Sequence, residues 1–166
     1  MTLEKCIERN VCLSSCLLLS LDLKLATAES CTGGMIGSVI TSKPGSSKFF
    51  MGGIIAYDDS IKQSVLGVSR DILIKYGAVS RETVIAMAEG AKRLLRTDCV
   101  IAVSGIAGPD GGSIEKPVGL VWFAVLTPDD VDVFRSRFSG GRECVRKKTV
   151  AKALQKLNEL LAKERL

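Results

Sequence analysis

The chain has 166 residues, 46% of them hydrophobic and 25% charged, with a net charge of +5 and no histidine. That length and balance support one domain with its own core and exclude a disordered or fibrous chain. The missing histidine excludes Ser-His-Asp and Cys-His catalysis, and six cysteines without a Cys-x-x-Cys pair speak against structural zinc.

In chain order, Leu3 to Leu19 reads as a helix. Val11 to Leu23 within and after it is apolar enough to imitate an export signal faintly. Glu4 and Glu8 stand where such a signal is basic, and cleavage would remove an element that covers the sheet, so a cytoplasmic location is expected. The stretch is too short to cross a membrane. The scattered cysteines read as reduced core residues, with Cys31 the exception because it lies in a turn.

Leu23 to Ala28 reads as a buried strand that breaks into Glu29-Ser30-Cys31-Thr32-Gly33-Gly34, and Gly34 to Thr41 as a short helix stopped by Pro44-Gly45. A strand turning tightly into a helix leaves backbone N–H groups free for an anion or a developing oxyanion. Ser30 would present a hydroxyl there, and without histidine the leading base is a lysine. Phe50 to Tyr57 reads as a strand with a bulge at Gly52-Gly53. Asp58, Asp59 and Ser60 can cap a helix to Leu66, Ser69 one to Tyr76, and Ser80 an amphipathic helix over Arg81 to Leu95. Cys99 to Val103 is a buried strand, and Ser104 to Lys116 a glycine-rich loop. Val118 to Leu126 and Val131 to Phe138 form a hairpin, and Gly140-Gly141 opens a basic helix to Ala162.

Strands alternating with helices make an α/β layered domain, and the hairpin makes the sheet mixed. Three chemically rich segments follow strands: Glu29–Gly34, Tyr57–Lys62 and Ser104–Gly112. Ligands of open α/β sheets bind at such ends. Ser30, Ser47 and Ser104 are candidate nucleophiles by position, Lys62 the candidate base, and Tyr57 its neighbour. Thr32, Gly33 and Gly34, with Gly105 and Gly108, offer backbone to a substrate. Arg142 and Arg146, four apart on one helix face, suit a phosphate. Each has a plainer reading: serine as a cap, Lys62 as a solvated helix lysine, the arginines as surface charge. The basic last helix reads first as a solvated face, and nucleic acid is not an expected partner, since aromatics are only 5%. Membrane is not an expected partner either.

Several motifs occur together in order: Thr27-Ala28-Glu29-Ser30-Cys31-Thr32-Gly33-Gly34, Pro44-Gly45-Ser46-Ser47, Tyr57 to Lys62, Gly77-Ala78-Val79-Ser80, Ser104 to Gly112, Glu115-Lys116-Pro117-Val118-Gly119 and Phe138 to Arg146. The set resembles the CinA C-terminal domain family, known as nicotinamide-nucleotide amidohydrolases, over about Leu21 to Leu161. The resemblance implies one domain over residues 1–166 with a three-layer α/β/α fold. It also implies deamidation of nicotinamide mononucleotide to nicotinate mononucleotide and ammonia, a step in pyridine nucleotide recycling. Ser30 and Ser47 match the family's two active-site serines, and either one could attack. Lys62 matches its base, Tyr57 the tyrosine beside it, and Arg142 an arginine that binds phosphate or polarises the carbonyl. Neither metal nor cofactor is implied.

The chain departs from the family in places. Tyr57-Asp58-Asp59 stands where relatives often read Tyr-Ser-Asn, and carboxylates beside Lys62 weaken it as a base unless they point away. Ser104 stands where relatives often have Thr, Gly140-Gly141 where they often have Gly-Asp, and the first thirty residues match poorly. The molybdopterin-binding-like domain of larger members is not in this sequence, so its pyrophosphatase activity is not expected. A homo-oligomer is expected, because small α/β enzymes often pair. The competing reading is a nucleotide-binding regulatory module without turnover, which the basic last helix and Asp58-Asp59 favour slightly.

Overall fold

In the computed structural model, which describes residues 2–164, the strands are Leu25–Glu29 (β1), Phe50–Ile55 (β2), Cys99–Gly105 (β3), Leu120–Leu126 (β4) and Val131–Arg137 (β5). They form one sheet in the order β2-β1-β3-β4-β5. β2, β1 and β3 run parallel, and β4 and β5 add on antiparallel, so the sheet is mixed. β1 is buried along its whole length, as its position between β2 and β3 under helices on both faces demands.

The helices are Leu3–Leu21 (α1), Met35–Thr41 (α2), Asp59–Ser64 (α3), Arg70–Tyr76 (α4), Arg81–Leu95 (α5) and Arg142–Lys163 (α6). Alternate residues of β3 face opposite ways. Ile101 and Val103 join Leu25 and Phe123 in a core with Ile7, Leu18, Ile36, Leu154 and Leu157 of α1, α2 and α6. Val100 and Ala102 join Ala28 and Ala124 under Val84, Met87 and Ala88 of α5. The result is three layers, α/β/α, as the sequence predicts.

Local signals act where they are read. Asp58 accepts the Ser60 N–H at 2.8 Å, Ser69 the Ile72 N–H at 3.2 Å, and Ser80 the Thr83 N–H at 3.2 Å. The basic face of α6 is partly neutralised by its neighbours. Lys147 pairs with Glu143 at 3.0 Å and Glu4 at 3.1 Å, and Lys156 with Glu159 at 2.9 Å and Asp132 at 3.0 Å. These carboxylates hold both ammonium groups above the ordinary lysine range. Among the described residues no helix is long and apolar enough to cross a membrane.

The cysteines are all free, but the expectation that they are core residues holds only in part: Cys31 and Cys99 are buried, whereas Cys12 and Cys16 are exposed on α1. Burial pushes the Cys31 and Cys99 thiols up to about 12. Iodoacetamide at mildly alkaline pH is therefore expected to label Cys12 and Cys16 and spare Cys31 and Cys99, read by peptide mass spectrometry. Labelling of Cys31 in the folded protein would contradict this burial.

Candidate active site

Because β1, β2 and β3 are parallel, the segments that follow them meet at one end of the sheet. They enclose a cleft of about 270 Å³ lined by Ser30, Tyr57, Asp59, Lys62, Ser104 and Arg142 among others, with Gly105 to Gly108 forming one wall. A larger groove of about 560 Å³, lined by Ile7, Val11, Met35 and Val39 of α1 and α2, is apolar and holds none of the predicted site residues.

Ser30 is fixed by its backbone, whose N–H donates to the Val103 carbonyl at 3.0 Å. Its hydroxyl forms no protein hydrogen bond among the described residues and opens on the cleft. Across the strand pair, Ala56 N–H donates to the Glu29 carbonyl at 2.8 Å, which brings Tyr57 alongside Ser30. The Asp58 cap then starts α3, and Lys62 lies in its last turn, buried.

Lys62 is not the solvated helix lysine of the plainer reading. It is 1% exposed, and its Nζ donates to the Tyr57 carbonyl at 3.0 Å and to Asp59 Oδ1 at 3.1 Å. Of the two unusual carboxylates, Asp58 turns away to cap the helix, and hydrogen bonds from Ser60 hold its carboxyl below the usual range. Asp59 is the one that touches the lysine. Tyr57 is exposed, and its hydroxyl accepts from Arg142 at 2.8 Å. Arg142 also donates to the Gly108 carbonyl at 2.8 Å, so it spans the cleft from the tyrosine to the glycine-rich wall.

Other predicted residues are placed differently. The Ser104 hydroxyl lines the cleft but donates to the Ala78 carbonyl at 2.7 Å, which holds the α4–α5 loop. Thr32 is buried, and its hydroxyl donates to Glu29 Oε2 at 2.7 Å. Arg146 donates to the Thr32 carbonyl at 2.7 Å and does not line the cleft. Ser47 is exposed in the one-turn helix Ser46–Lys48 that leads into β2, at the end of the strand opposite Tyr57. Six residues of strand, roughly 20 Å, keep it from Ser30 within one chain.

The free helix N-terminus read at Ser30–Gly34 is also corrected. Gly33 and Gly34, at φ 57° and 90°, make the turn, and Gly34 offers no side-chain cap. The cap comes instead from Glu29, which is fully buried. Its carboxylate accepts the N–H groups of Ile36 at 3.0 Å and Gly37 at 2.8 Å, and the hydroxyls of Thr32 and Thr27. The helix end is thus already satisfied by the chain's own anion. The N–H groups of Cys31 and Thr32 in the turn, and of Ala107 and Gly108 in the wall, have no protein acceptor among the described residues.

Sequence reasoning missed the role of Glu29 and left open which of Asp58 and Asp59 faces Lys62. An uncapped glycine opening α2 is the signal for a remote cap, and the three-residue spacing from Asp59 to Lys62 is the signal for the ion pair. Among the described residues no group of His, Cys, Asp and Glu side chains could hold a metal.

Comparison with known proteins places the chain. A family model described as the CinA C-terminal domain matches residues 12–161. A CinA-like protein of Parasynechococcus marenigrum is 52% identical over 139 residues, covering 82% of this chain and 33% of that protein. A CinA-like protein of Thermotoga neapolitana is 48% identical over 141 residues, covering 85% and 34%. The chain thus spans about a third of the length of these curated relatives. The crystal structure of the competence/damage inducible protein CihA from Agrobacterium tumefaciens superposes with a TM-score of 0.91 at 41% identity, over 93% of this chain and 95% of that one.

Proposed function

From the premise that this chain belongs to the CinA C-terminal domain family, we propose that it is an amidohydrolase that deamidates nicotinamide mononucleotide through Ser30 and Lys62. The observation that carries the reading is a lysine buried without surface exposure in a cleft it shares with an unbonded serine hydroxyl. A buried lysine is expensive to keep, and one held in a cleft beside a serine hydroxyl is a candidate for function.

Ser30 Oγ attacks the carboxamide carbon while Lys62 Nζ takes the hydroxyl proton. The carbonyl oxygen becomes an oxyanion, for which the unpartnered N–H groups of Cys31 and Thr32 or of Ala107 and Gly108 are the available donors. Lys62 returns the proton to the leaving nitrogen, ammonia departs, and water hydrolyses the resulting ester by the same route. Cys31 is set aside as nucleophile because burial keeps its thiol protonated. Arg142, at the mouth, positions Tyr57 and has donors left for the substrate phosphate.

One observation favours the other reading, a nucleotide-binding module without turnover: the Asp59 carboxylate lies 3.1 Å from Lys62 and holds its Nζ in an ion pair. The two serines separate the readings further. Ser30→Ala is expected to lower ammonia release from nicotinamide mononucleotide by about 10³-fold or more. Full loss in Ser47→Ala with an active Ser30→Ala would move the nucleophile to Ser47.

A further inference from the structure

β5 forms one edge of the sheet, with β4 on its inner side and no strand on its outer side among the described residues. Two hydrogen bonds just beyond its ends fix which of its backbone groups face out. Thr127 N–H donates to the Asp130 carbonyl at 2.9 Å, and Phe138 N–H donates to the Gly119 carbonyl at 2.9 Å. Facing pairs in an antiparallel ladder alternate between hydrogen-bonded and non-bonded. In the observed register, Asp132, Phe134 and Ser136 are then the residues bonded to β4. Val131, Val133, Arg135 and Arg137 turn their N–H and C=O groups outward, where they are open to another strand.

The side chains of these same residues share one face, the one on which Val133 packs against the core under α5. Along the strand they run apolar, apolar, cation, cation. Arg135 and Arg137 are exposed, and neither is in an ion pair among the described residues. Lys147 and Lys156 of α6, by contrast, are matched by carboxylates. Beside the arginines lie two cavities, of about 360 and 320 Å³, that share Arg135, Glu115 and Leu120. In the second, Arg81, Lys116 and Arg135 outnumber Glu82 and Glu115. Charges on an edge strand discourage chance pairing, and here their order along the strand selects a partner.

We infer that the outer edge of β5 takes up an extended acidic peptide as a sixth, antiparallel strand, whose alternate residues run acidic, acidic, apolar, apolar. Its backbone satisfies the outward groups of β5. Its carboxylates stand opposite Arg137 and Arg135, where a guanidinium can hold each by two hydrogen bonds. Its apolar side chains stand opposite Val133 and Val131. A second copy of β5 does not fit this edge. An axis through Phe134 sets Arg137 against the partner's Val131 and Arg135 against the partner's Val133, so every guanidinium stays unpaired. A nucleic acid would meet the arginines but leave the backbone edge open. The pairing follows from the edge and holds whatever reaction the cleft performs.

The probe is a capped peptide, Glu-Thr-Glu-Thr-Val-Thr-Val, titrated against the whole chain. Trp122 is the only tryptophan in the chain, and Arg135 lies 5.7 Å from its ring centre, so its emission reports binding at this place. A fluorescein-labelled copy reads the same titration by anisotropy. A saturable change is expected below about 1 mM, and Arg135→Gln/Arg137→Gln is expected to weaken binding about tenfold or more. Both side chains are exposed, so the substitutions leave the core untouched. Methyl groups on the backbone nitrogens of the third and fifth peptide residues, which face β5, are expected to abolish binding. On the second and fourth, which face away, they are expected to leave it intact. No saturable change by about 1 mM would overturn the proposal. Binding that survives the arginine substitutions would overturn its acidic selectivity. Binding that ignores the methylation pattern would overturn strand addition and leave only attraction between surface charges.

Discussion

Lys62→Met is expected to lower ammonia release from nicotinamide mononucleotide by about 10²- to 10⁴-fold, the range supplied by a positioned general base. Stability should change by only about 1 kcal/mol, because methionine keeps the buried stem and replaces a buried charge whose partner is half exposed. The two readouts must be taken together. Loss of activity with an unchanged denaturation midpoint assigns chemistry to the amine, whereas loss of both would only show that the side chain supports α3. A fully active Lys62→Met protein would remove the lysine from the mechanism. Asp59→Asn complements it: if the ion pair restrains the base, freeing Lys62 should raise turnover, and an unchanged rate would show that Asp59 has no such influence.

Glu29→Gln is expected to destabilise the fold by about 2–4 kcal/mol, read by urea unfolding. The carboxylate accepts four donors in the core: two backbone N–H groups of α2 and the hydroxyls of Thr27 and Thr32. The amide has the same shape but presents an NH₂ to part of that set, so buried donors lose their acceptor. The turn that places Ser30 hangs on the same carboxylate, and activity should fall with stability. A change below about 0.5 kcal/mol would mean that water or a rotated Thr32 can replace the acceptor.

Much of the fold was legible because its signals are local. Asp58, Ser69 and Ser80 announce α3, α4 and α5, and each side chain caps the helix it was assigned. Gly77 ends α4, and the apolar spacing of α5 predicts its buried face. The parallel arrangement of β1, β2 and β3 follows from their helical crossovers, which is why three loops distant in sequence were expected at one cleft.

What escaped the sequence depends on three-dimensional packing. Lys62 lies in the polar segment Asp59-Ser60-Ile61-Lys62-Gln63-Ser64, which reads as a solvated helix. Its burial comes from the rest of the fold closing over it. Pro44–Ser47 and Tyr57 are near neighbours in sequence, yet β2 between them sends them to opposite ends of the sheet. Motif proximity along a chain therefore overstates proximity in space whenever a strand intervenes. The helix N-terminus after Ser30 looked free because the residue that caps it sits seven positions before the first N–H it accepts.

The proposed activity, cleavage of a carboxamide bond in this cleft, is read in its products. Incubation of the purified protein with nicotinamide mononucleotide, with ammonia and nicotinate mononucleotide both quantified, tests it most directly. The two products are expected in equal amounts, and Ser30→Ala is expected to abolish both. Nucleotide bound by the wild-type protein with no ammonia released would contradict it, and would make the cleft a binding site whose lysine is held by Asp59.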